Sequence, residues 1–187
     1  MPVWTLIVVG LVALLALYVA LTWNRFVRLR TRVENGWSQI DVQLRRRYDL
    51  IPNLVETVRG YAGHERDLFE RVTEARTRAM GATGVGEQAT AENAVTGSLR
   101  QLLAVVEAYP ELEADANFLA LQEELIGTES KIAYARQFYN DQVMRLNTAI
   151  DTVPSNVVAR TLDVERRDFF DIEDPVRGPV DVDLRGS

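Results

Sequence analysis

The sequence of 187 residues contains no cysteine and one histidine, His64. Without cysteine the chain has no disulfide framework, no thiolate zinc site, no iron–sulfur cluster and no cysteine nucleophile. Glu65 follows His64, but no second histidine completes the zinc-binding pattern His-Glu-x-x-His. We therefore expect no catalytic residue, no metal and no cofactor, although carboxylates alone could still bind Ca²⁺ or Mg²⁺.

The sequence also lacks an excess of basic residues, because 21 Lys and Arg stand against 27 Asp and Glu, for a net charge of −6. Nucleic-acid-binding domains usually carry a basic excess, so a nucleic-acid partner is not expected. The run Arg45–Arg47 is too short, and its surroundings are too acidic, to form such a surface. The hydrophobic fraction of 47% and the charged fraction of 26% are typical of a folded protein.

Residues 3–23 contain no charged side chain. A helix of about 20 apolar residues crosses the hydrocarbon core of a bilayer, which is about 30 Å thick. Trp4 and Trp23 stand at the two ends of the run, where membrane interfaces favour aromatic side chains. A cleavable signal peptide would carry basic residues before the apolar run, whereas the first charged side chain here is Arg25. We predict a retained single-pass anchor over residues 1–23.

Four arginines follow the apolar run directly: Arg25, Arg28, Arg30 and Arg32. The positive-inside rule then predicts a cell-membrane protein with its N-terminus outside and its C-terminal body in the cytoplasm. The same arginines could bind anionic lipid head groups, at about 1 kcal/mol each. Alternatively, they serve only as a topology signal.

After the anchor, apolar residues recur every three or four positions, which is the period of an amphipathic helix. One stripe consists of Val33, Trp37, Ile40, Leu44, Tyr48, Ile51, Val55, Val58 and Ala62. It predicts a long helix that continues from the anchor, with Trp37 and Tyr48 in the core rather than in an exposed stacking platform. Pro52 lacks a backbone donor and clashes with the preceding turn, so we expect a kink or a break there.

Three more helices are predicted. The second runs from about residue 65 to 80, and the glycine-rich residues 81–88 indicate a flexible loop. Thr90 is the expected N-cap of the third helix, which stops at Pro110. The fourth and longest helix spans about 114–152 and keeps the same apolar rhythm.

The remaining residues are less regular. A short apolar segment, 157–170, is expected to pack back on the helices, and 171–187 is expected to be a disordered acidic tail. No stretch alternates as a strand would. The predicted fold class is all-α, with a transmembrane anchor (1–23) followed by an antiparallel bundle of long helices (24–170).

Polar residues recur at intervals of seven on the first and fourth helices. They are Gln39, Arg46 and Asn53 on the first helix and Gln122, Glu129 and Arg136 on the fourth, where Asn140 and Asn147 repeat the interval. Rows at this spacing lie along one side of a helix, as in a coiled coil, so the two rows could meet. We favour polar contacts that fix the register between helices over contacts between copies, and both over a catalytic cluster. Arg45–Arg47 could likewise pair with acids of the fourth helix, for instance Glu123, Glu124 or Glu129.

Three stretches resemble the LemA family. They are NGWSQIDVQLRRRYDLIPNLVETVRGYAGHE (35–65), LAVVEAYPELEADANF (103–118) and LQEELIGTESKIAYARQFYNDQVMRLNTAIDTVPSNVVA (121–159). Together with the anchor, the resemblance covers residues 1 to about 160. It implies a membrane-anchored prokaryotic protein with a cytoplasmic helical bundle. A relative with a role in magnetosome organisation makes membrane organisation the expected kind of role, and the resemblance implies no enzymatic activity.

The leading hypothesis is a non-catalytic, membrane-anchored helical scaffold. It would self-associate as a homo-oligomer and organise membrane or recruit partners at the cytoplasmic face. The alternative is a monomeric or dimeric adaptor for an unidentified protein partner, such as an envelope-stress or proteolysis component. A third, minor hypothesis is an enzyme with an unrecognised carboxylate or metal site.

Overall fold

The computed structural model describes residues 2–172, and every regular element in this range is an α-helix. The helices are α1 (Val3–Tyr61), α2 (Arg66–Gly81), α3 (Val85–Val106), α4 (Pro110–Glu113), α5 (Ala116–Asp151) and α6 (Ser155–Thr161). The predicted all-α class is confirmed. Of the expected tail 171–187, residues 173–187 lie outside the described range.

The chain divides into two compact units. The first unit contains α1 up to Arg47 together with Ile126–Phe169. The second unit contains Tyr48–Leu125 and, at the end of the described range, residues 170–172. The long helices α1 and α5 therefore contribute to both units, whereas α2, α3 and α4 belong to the second unit and α6 belongs to the first.

The apolar stripe predicted for α1 is buried, except that Trp37 is half-buried. Pro52 does not end the helix, which continues to Tyr61, so the expected break is wrong. A proline inside a helix costs about 3 kcal/mol, whereas a fully buried large aliphatic side chain contributes roughly 1.5–3 kcal/mol. Ile51, Leu54 and Val58 surround Pro52 in sequence and are buried. Their burial offsets the cost of the proline.

The expected glycine-rich loop at 81–88 is mostly helical, so that prediction is wrong. Helix α2 extends to Gly81 and α3 already begins at Val85, where it packs against α2. Gly84 makes the turn between them with φ +81°, a conformation that glycine adopts at little cost. Thr90 does not cap α3, since its hydroxyl donates to the carbonyl of Gly86 inside the helix (3.1 Å).

The long fourth helix of the sequence analysis is confirmed as α5, Ala116–Asp151. Its N-terminus is capped by Asp115, whose Oδ1 accepts hydrogen bonds from the backbone N–H groups of Asn117 and Phe118, both at 2.9 Å. Pro110, expected to end the preceding helix, instead begins the short helix α4, where its missing N–H carries no penalty.

The segment after α5 packs inward only in part. Val158 and Phe170 are buried, as expected, but Val157, Leu162 and Phe169 are exposed. The expectation that the apolar segment packs back on the helices is therefore wrong for these three side chains.

Within the first unit, α1 and α5 approach each other closely at Gly36. A Cβ added there would lie 3.1 Å from the Cα of Tyr139 and 3.3 Å from Cδ1 of Phe138. Further along α1, Nη1 of Arg47 lies 2.9 Å from Oε1 of Glu129. From the first contact to the second, the residue number increases on α1, from Gly36 to Arg47. It decreases on α5, from Tyr139 to Glu129, so the two helices run antiparallel.

Replacement of Gly36 by alanine should force α1 and α5 apart, because the new methyl group meets backbone as well as side chain. We expect a loss of about 1–3 kcal/mol in the free energy of unfolding, as for other overpacked contacts. Gly127→Ala is the matched control on α5, where a Cβ meets nothing within 4 Å, and it should stabilise the helix by up to about 1 kcal/mol. Denaturant unfolding of the full chain in detergent, followed by circular dichroism, measures both. Equal effects of the two substitutions would contradict the close packing at Gly36.

Candidate functional site

The apolar run at the start of α1 is exposed. It forms part of a helix that is long and apolar enough to cross a membrane, with a mean hydropathy of 2.6 in its most apolar window and none of that window buried. Trp4 and Trp23, at its two ends, are exposed as well. A continuous apolar surface of this length is unfavourable in water. The first part of α1 therefore indicates a membrane anchor.

The four arginines that follow the anchor are all exposed on α1. Nε of Arg30 donates to Oε1 of Glu34, one turn further on, at 3.1 Å. Both side chains are open to solvent, so this pair contributes at most about 1 kcal/mol to stability. The described structure thus leaves the charge of these arginines at the surface directly beyond the anchor.

A largely buried charged contact of the first unit joins Arg47 to Glu129. The side chain of Arg47 is only 1% exposed, whereas that of Glu129 is 40% exposed. A guanidinium taken out of water is costly unless a carboxylate compensates it. The pair therefore ties α5 to α1 at one defined register.

Tyr139 lies at the other contact between the same helices. Its ring centroid is 5.5 Å from that of Trp37, and its hydroxyl donates to the carbonyl of Asp168 at 2.9 Å. Burial raises the pKa of the Tyr139 hydroxyl, so the group stays protonated and acts as a donor at neutral pH. Tyr139 thereby connects the helix pair to the segment that follows α6.

Asn147 holds the same segment by its backbone. Its Nδ2 donates to the carbonyl of Arg167 at 2.9 Å, and its Oδ1 accepts from the N–H of Arg167 at 3.0 Å. Arg166 adds an exposed ion pair with Asp151 at 2.9 Å. The amide of Asn147 therefore acts as a clamp that fixes the chain returning from α6.

The predicted polar rows occupy different environments. Gln39, Arg46 and Asn53 are exposed, Gln122, Glu129, Arg136 and Asn140 are half-buried, and Asn147 is buried. The ion pair with Glu129 is made by Arg47, which lies outside the seven-residue row. Contacts between copies through these rows stay a prediction.

Gln39 borders a groove between α1 and α5, which we call the α1–α5 groove. Its lining consists of Ser38, Gln39, Val42 and Gln43 from α1 and Lys131, Tyr134, Ala135 and Phe138 from α5, around a cavity of about 560 Å³. Tyr134 is 75% exposed and Val42 is 59% exposed. The sequence analysis missed Tyr134 and Phe138, although both are aromatic residues outside the buried stripe of α5.

In the second unit, the sequence analysis missed a buried carboxylate. Glu92 on α3 is completely buried, and the hydroxyl of Tyr48 donates to its Oε1. Nε2 of Gln88 lies 2.7 Å from the same oxygen and 2.9 Å from the Tyr48 hydroxyl. The signal was present in the sequence, because Glu92 occupies a helical stripe with Val95 and Leu99.

Arg76 extends this network from α2. Its Nε donates to the backbone carbonyl of Tyr48 at 2.7 Å. The network thus joins α1, α2 and α3 within the second unit. A buried polar cluster of this kind favours one arrangement of the three helices, because any other arrangement would leave the groups without partners.

Replacement of Tyr48 by phenylalanine removes the hydroxyl that donates to the buried Glu92. We expect a loss of about 1–3 kcal/mol in the free energy of unfolding, the usual range for a lost hydrogen bond to a buried charged or polar group. The matched control is Tyr61→Phe, since the exposed Tyr61 hydroxyl lies 3.4 Å from Asp115. This control should change stability by less than about 0.5 kcal/mol. Denaturant unfolding compares the two variants, and a Tyr48→Phe effect as small as that of Tyr61→Phe would argue against a structural role for the network.

Within residues 2–172, no group of three or more His, Asp or Glu side chains is placed to hold a metal ion. The geometry described above therefore consists of an exposed apolar helix, surface arginines, helix-joining polar contacts and an aromatic groove.

Comparison with known proteins connects this architecture to one family. The chain is 24% identical to magnetosome protein MamQ 2 of Paramagnetospirillum magneticum, with 90% of this chain and 72% of the relative covered. It is 25% identical to protein LemA of Metamycoplasma hominis, with 86% and 73% covered. The LemA family profile matches residues 36–184. Because that match spans most of the sequence, the chain belongs to the LemA family.

Proposed function

We propose that this chain is a non-catalytic, membrane-anchored scaffold that self-associates at the cytoplasmic face and so organises membrane or recruits partners there. The α1–α5 groove carries the proposal, because it places exposed aromatic and aliphatic side chains beside amide and amino groups. Exposed apolar surface that is bordered by polar residues is typical of protein interfaces, where tyrosine and phenylalanine are enriched.

The proposed occupant of the α1–α5 groove is a second copy of the chain. The groove contains both a cavity and a protruding residue, Tyr134, so one surface offers a recess and a side chain to fill it. A repeated contact of this type closes into a ring or extends into an array, depending on the rotation between copies. The relationship to proteins named magnetosome proteins supports an organising role.

The orientation rests on charge. The exposed Arg25, Arg28, Arg30 and Arg32 directly follow the anchor, and basic residues at this position are retained on the cytoplasmic side. The helices beyond the anchor would then lie in the cytoplasm, where the arginines can also meet anionic head groups.

Self-association is tested by the particle mass of the full chain in detergent, measured by light scattering and followed by electron microscopy. We expect a homo-oligomer for the natural sequence and a much smaller particle for the double variant Tyr134→Asp with Phe138→Asp. Ile126→Asp is the control, since Ile126 is exposed on α5 but does not line the α1–α5 groove. Circular dichroism verifies that each variant keeps its helices.

A monomeric or dimeric particle for the natural sequence would overturn the scaffold and favour an adaptor. An unchanged particle in the double variant would exclude the α1–α5 groove as the contact.

Orientation is tested with a single introduced cysteine, since the sequence has none of its own. In Gln101→Cys, the new thiol replaces an exposed side chain of α3. A membrane-impermeant maleimide should label it in inverted membrane vesicles and leave it unlabelled in right-side-out vesicles. The reverse pattern would place the helices outside. Replacement of all four arginines by glutamate should weaken the preference between the two patterns.

A further inference from the structure

The C-terminal end of α5 lies at the level of the membrane interface. In the first unit, Arg47 meets Glu129, Gly36 meets Tyr139, and Phe26 and Leu146 line the same cavity of about 380 Å³. Residues closer to the C-terminal end of α5 thus lie beside residues closer to the N-terminal end of α1. Extension of this register places Asp151, the last residue of α5, at about the level of Trp23.

After Asp151, the chain continues past the level of Trp23 along the anchor. One apolar groove of about 280 Å³ lies between the anchor and the segment around α6. It is lined by Leu15, Tyr18 and Val19 of the anchor and by Pro154, Val157, Val158, Thr161 and Leu162. Leu15 lies eight residues before Trp23, which is about 12 Å along a helix. Half of the hydrocarbon core of a bilayer is about 15 Å thick. Helix α6 therefore packs on the anchor at a depth that acyl chains occupy.

The segment then returns towards the interface. The cavity of about 380 Å³ shows this return. Its lining includes Trp23, Phe26 and Val27 of α1 and, after α6, Leu162, Asp163, Val164, Glu165 and Arg167. The clamp made by Asn147 holds Arg167 at this position. Residues 153–162 thus leave the level of Trp23, run beside the anchor and come back.

The composition of this segment suits a lipid environment. Arg160 is the one charged residue between Val153 and Leu162, and a long arginine side chain can extend its charge back to the interface. Val153 and Val157 are 74% and 64% exposed, the opposite of what a soluble core would favour. Their exposure is explained if acyl chains cover them.

The hydroxyl groups of the segment are already bonded within the protein. Ser155 Oγ lies 2.7 Å from the carbonyl of Ala149 and 2.8 Å from that of Thr152. Thr161 Oγ1 donates to the carbonyl of Val157 at 2.8 Å. Polar groups in hydrocarbon need such internal partners, because no water is present to replace them, and within the described residues the buried Oδ1 of Asn156 is the side-chain oxygen of this segment that lacks one.

We infer that residues 153–162 are a second membrane-embedded element, which inserts into the acyl-chain region of one leaflet and packs on the anchor helix. The occupant of the apolar surface of Val153 and Val157 is therefore lipid. This inference rests on the proposed anchoring by α1 and extends it, since the chain would contact the bilayer through a span and through a second element embedded in one leaflet.

The test uses nitroxide labels on single cysteines in the full chain, reconstituted in phosphatidylcholine–phosphatidylglycerol vesicles. Labels are placed at Val157→Cys and Val153→Cys, with Leu11→Cys as the lipid reference and Gln101→Cys as the water reference. Oxygen concentrates in lipid and a nickel chelate remains in water. We expect an oxygen-to-nickel accessibility ratio at residues 153 and 157 that is several-fold above that at residue 101 and close to that at residue 11.

The alternatives give different patterns. A water-like ratio at residues 153 and 157 beside a lipid-like ratio at residue 11 would overturn the second embedded element and leave the anchor intact. A water-like ratio at residue 11 as well would overturn the anchor itself. Low accessibility to both reagents at residues 153 and 157 would show that protein, such as a second copy, covers the segment, and would also overturn the inference.

Discussion

The close antiparallel contact of α1 with α5 in the first unit sets the position of the other functional features of that unit. Gly36 lets the helices approach until a methyl group would no longer fit, and Arg47 with Glu129 selects one register along them. That register forms the α1–α5 groove and brings the end of α5 to the level of Trp23. A slip by one helical turn would move every one of these features by about 5 Å.

Buried charge has a similar role in both units. In the first, Arg47 is almost fully buried and meets a carboxylate that is partly open to water. In the second, Glu92 is fully buried and is bound by the hydroxyl of Tyr48 and the amide of Gln88. Apolar residues of the same size could give comparable stability, but buried ionic groups tolerate few alternative packings. These contacts therefore contribute more to a unique arrangement of helices than to the free energy of unfolding.

The exposed apolar surface of the first unit forms two regions, which differ in the polar residues beside them. Near the anchor, the exposed side chains of α1 and α6 adjoin an apolar run without charge, which is the composition of a membrane-spanning helix. Farther along α1, Val42, Tyr134 and Phe138 lie beside Gln39 and Lys131, which is the mixed composition of a protein contact. The exposed arginines after Trp23 lie between these two regions along α1.

The sequence by itself determined the helical class, the anchor and the extents of α2 and α5, because a charge-free run and a helical apolar period are local properties of the chain. It did not determine the path through Pro52, where the burial of neighbouring residues outweighs local preference, or the early start of α3 at Val85. Only the tertiary structure decided that Arg47 meets Glu129, that Glu92 is buried, and that α6 lies beside Leu15 and Val19. Each of these depends on which residues of distant segments become neighbours, and spacing along one helix does not contain that information.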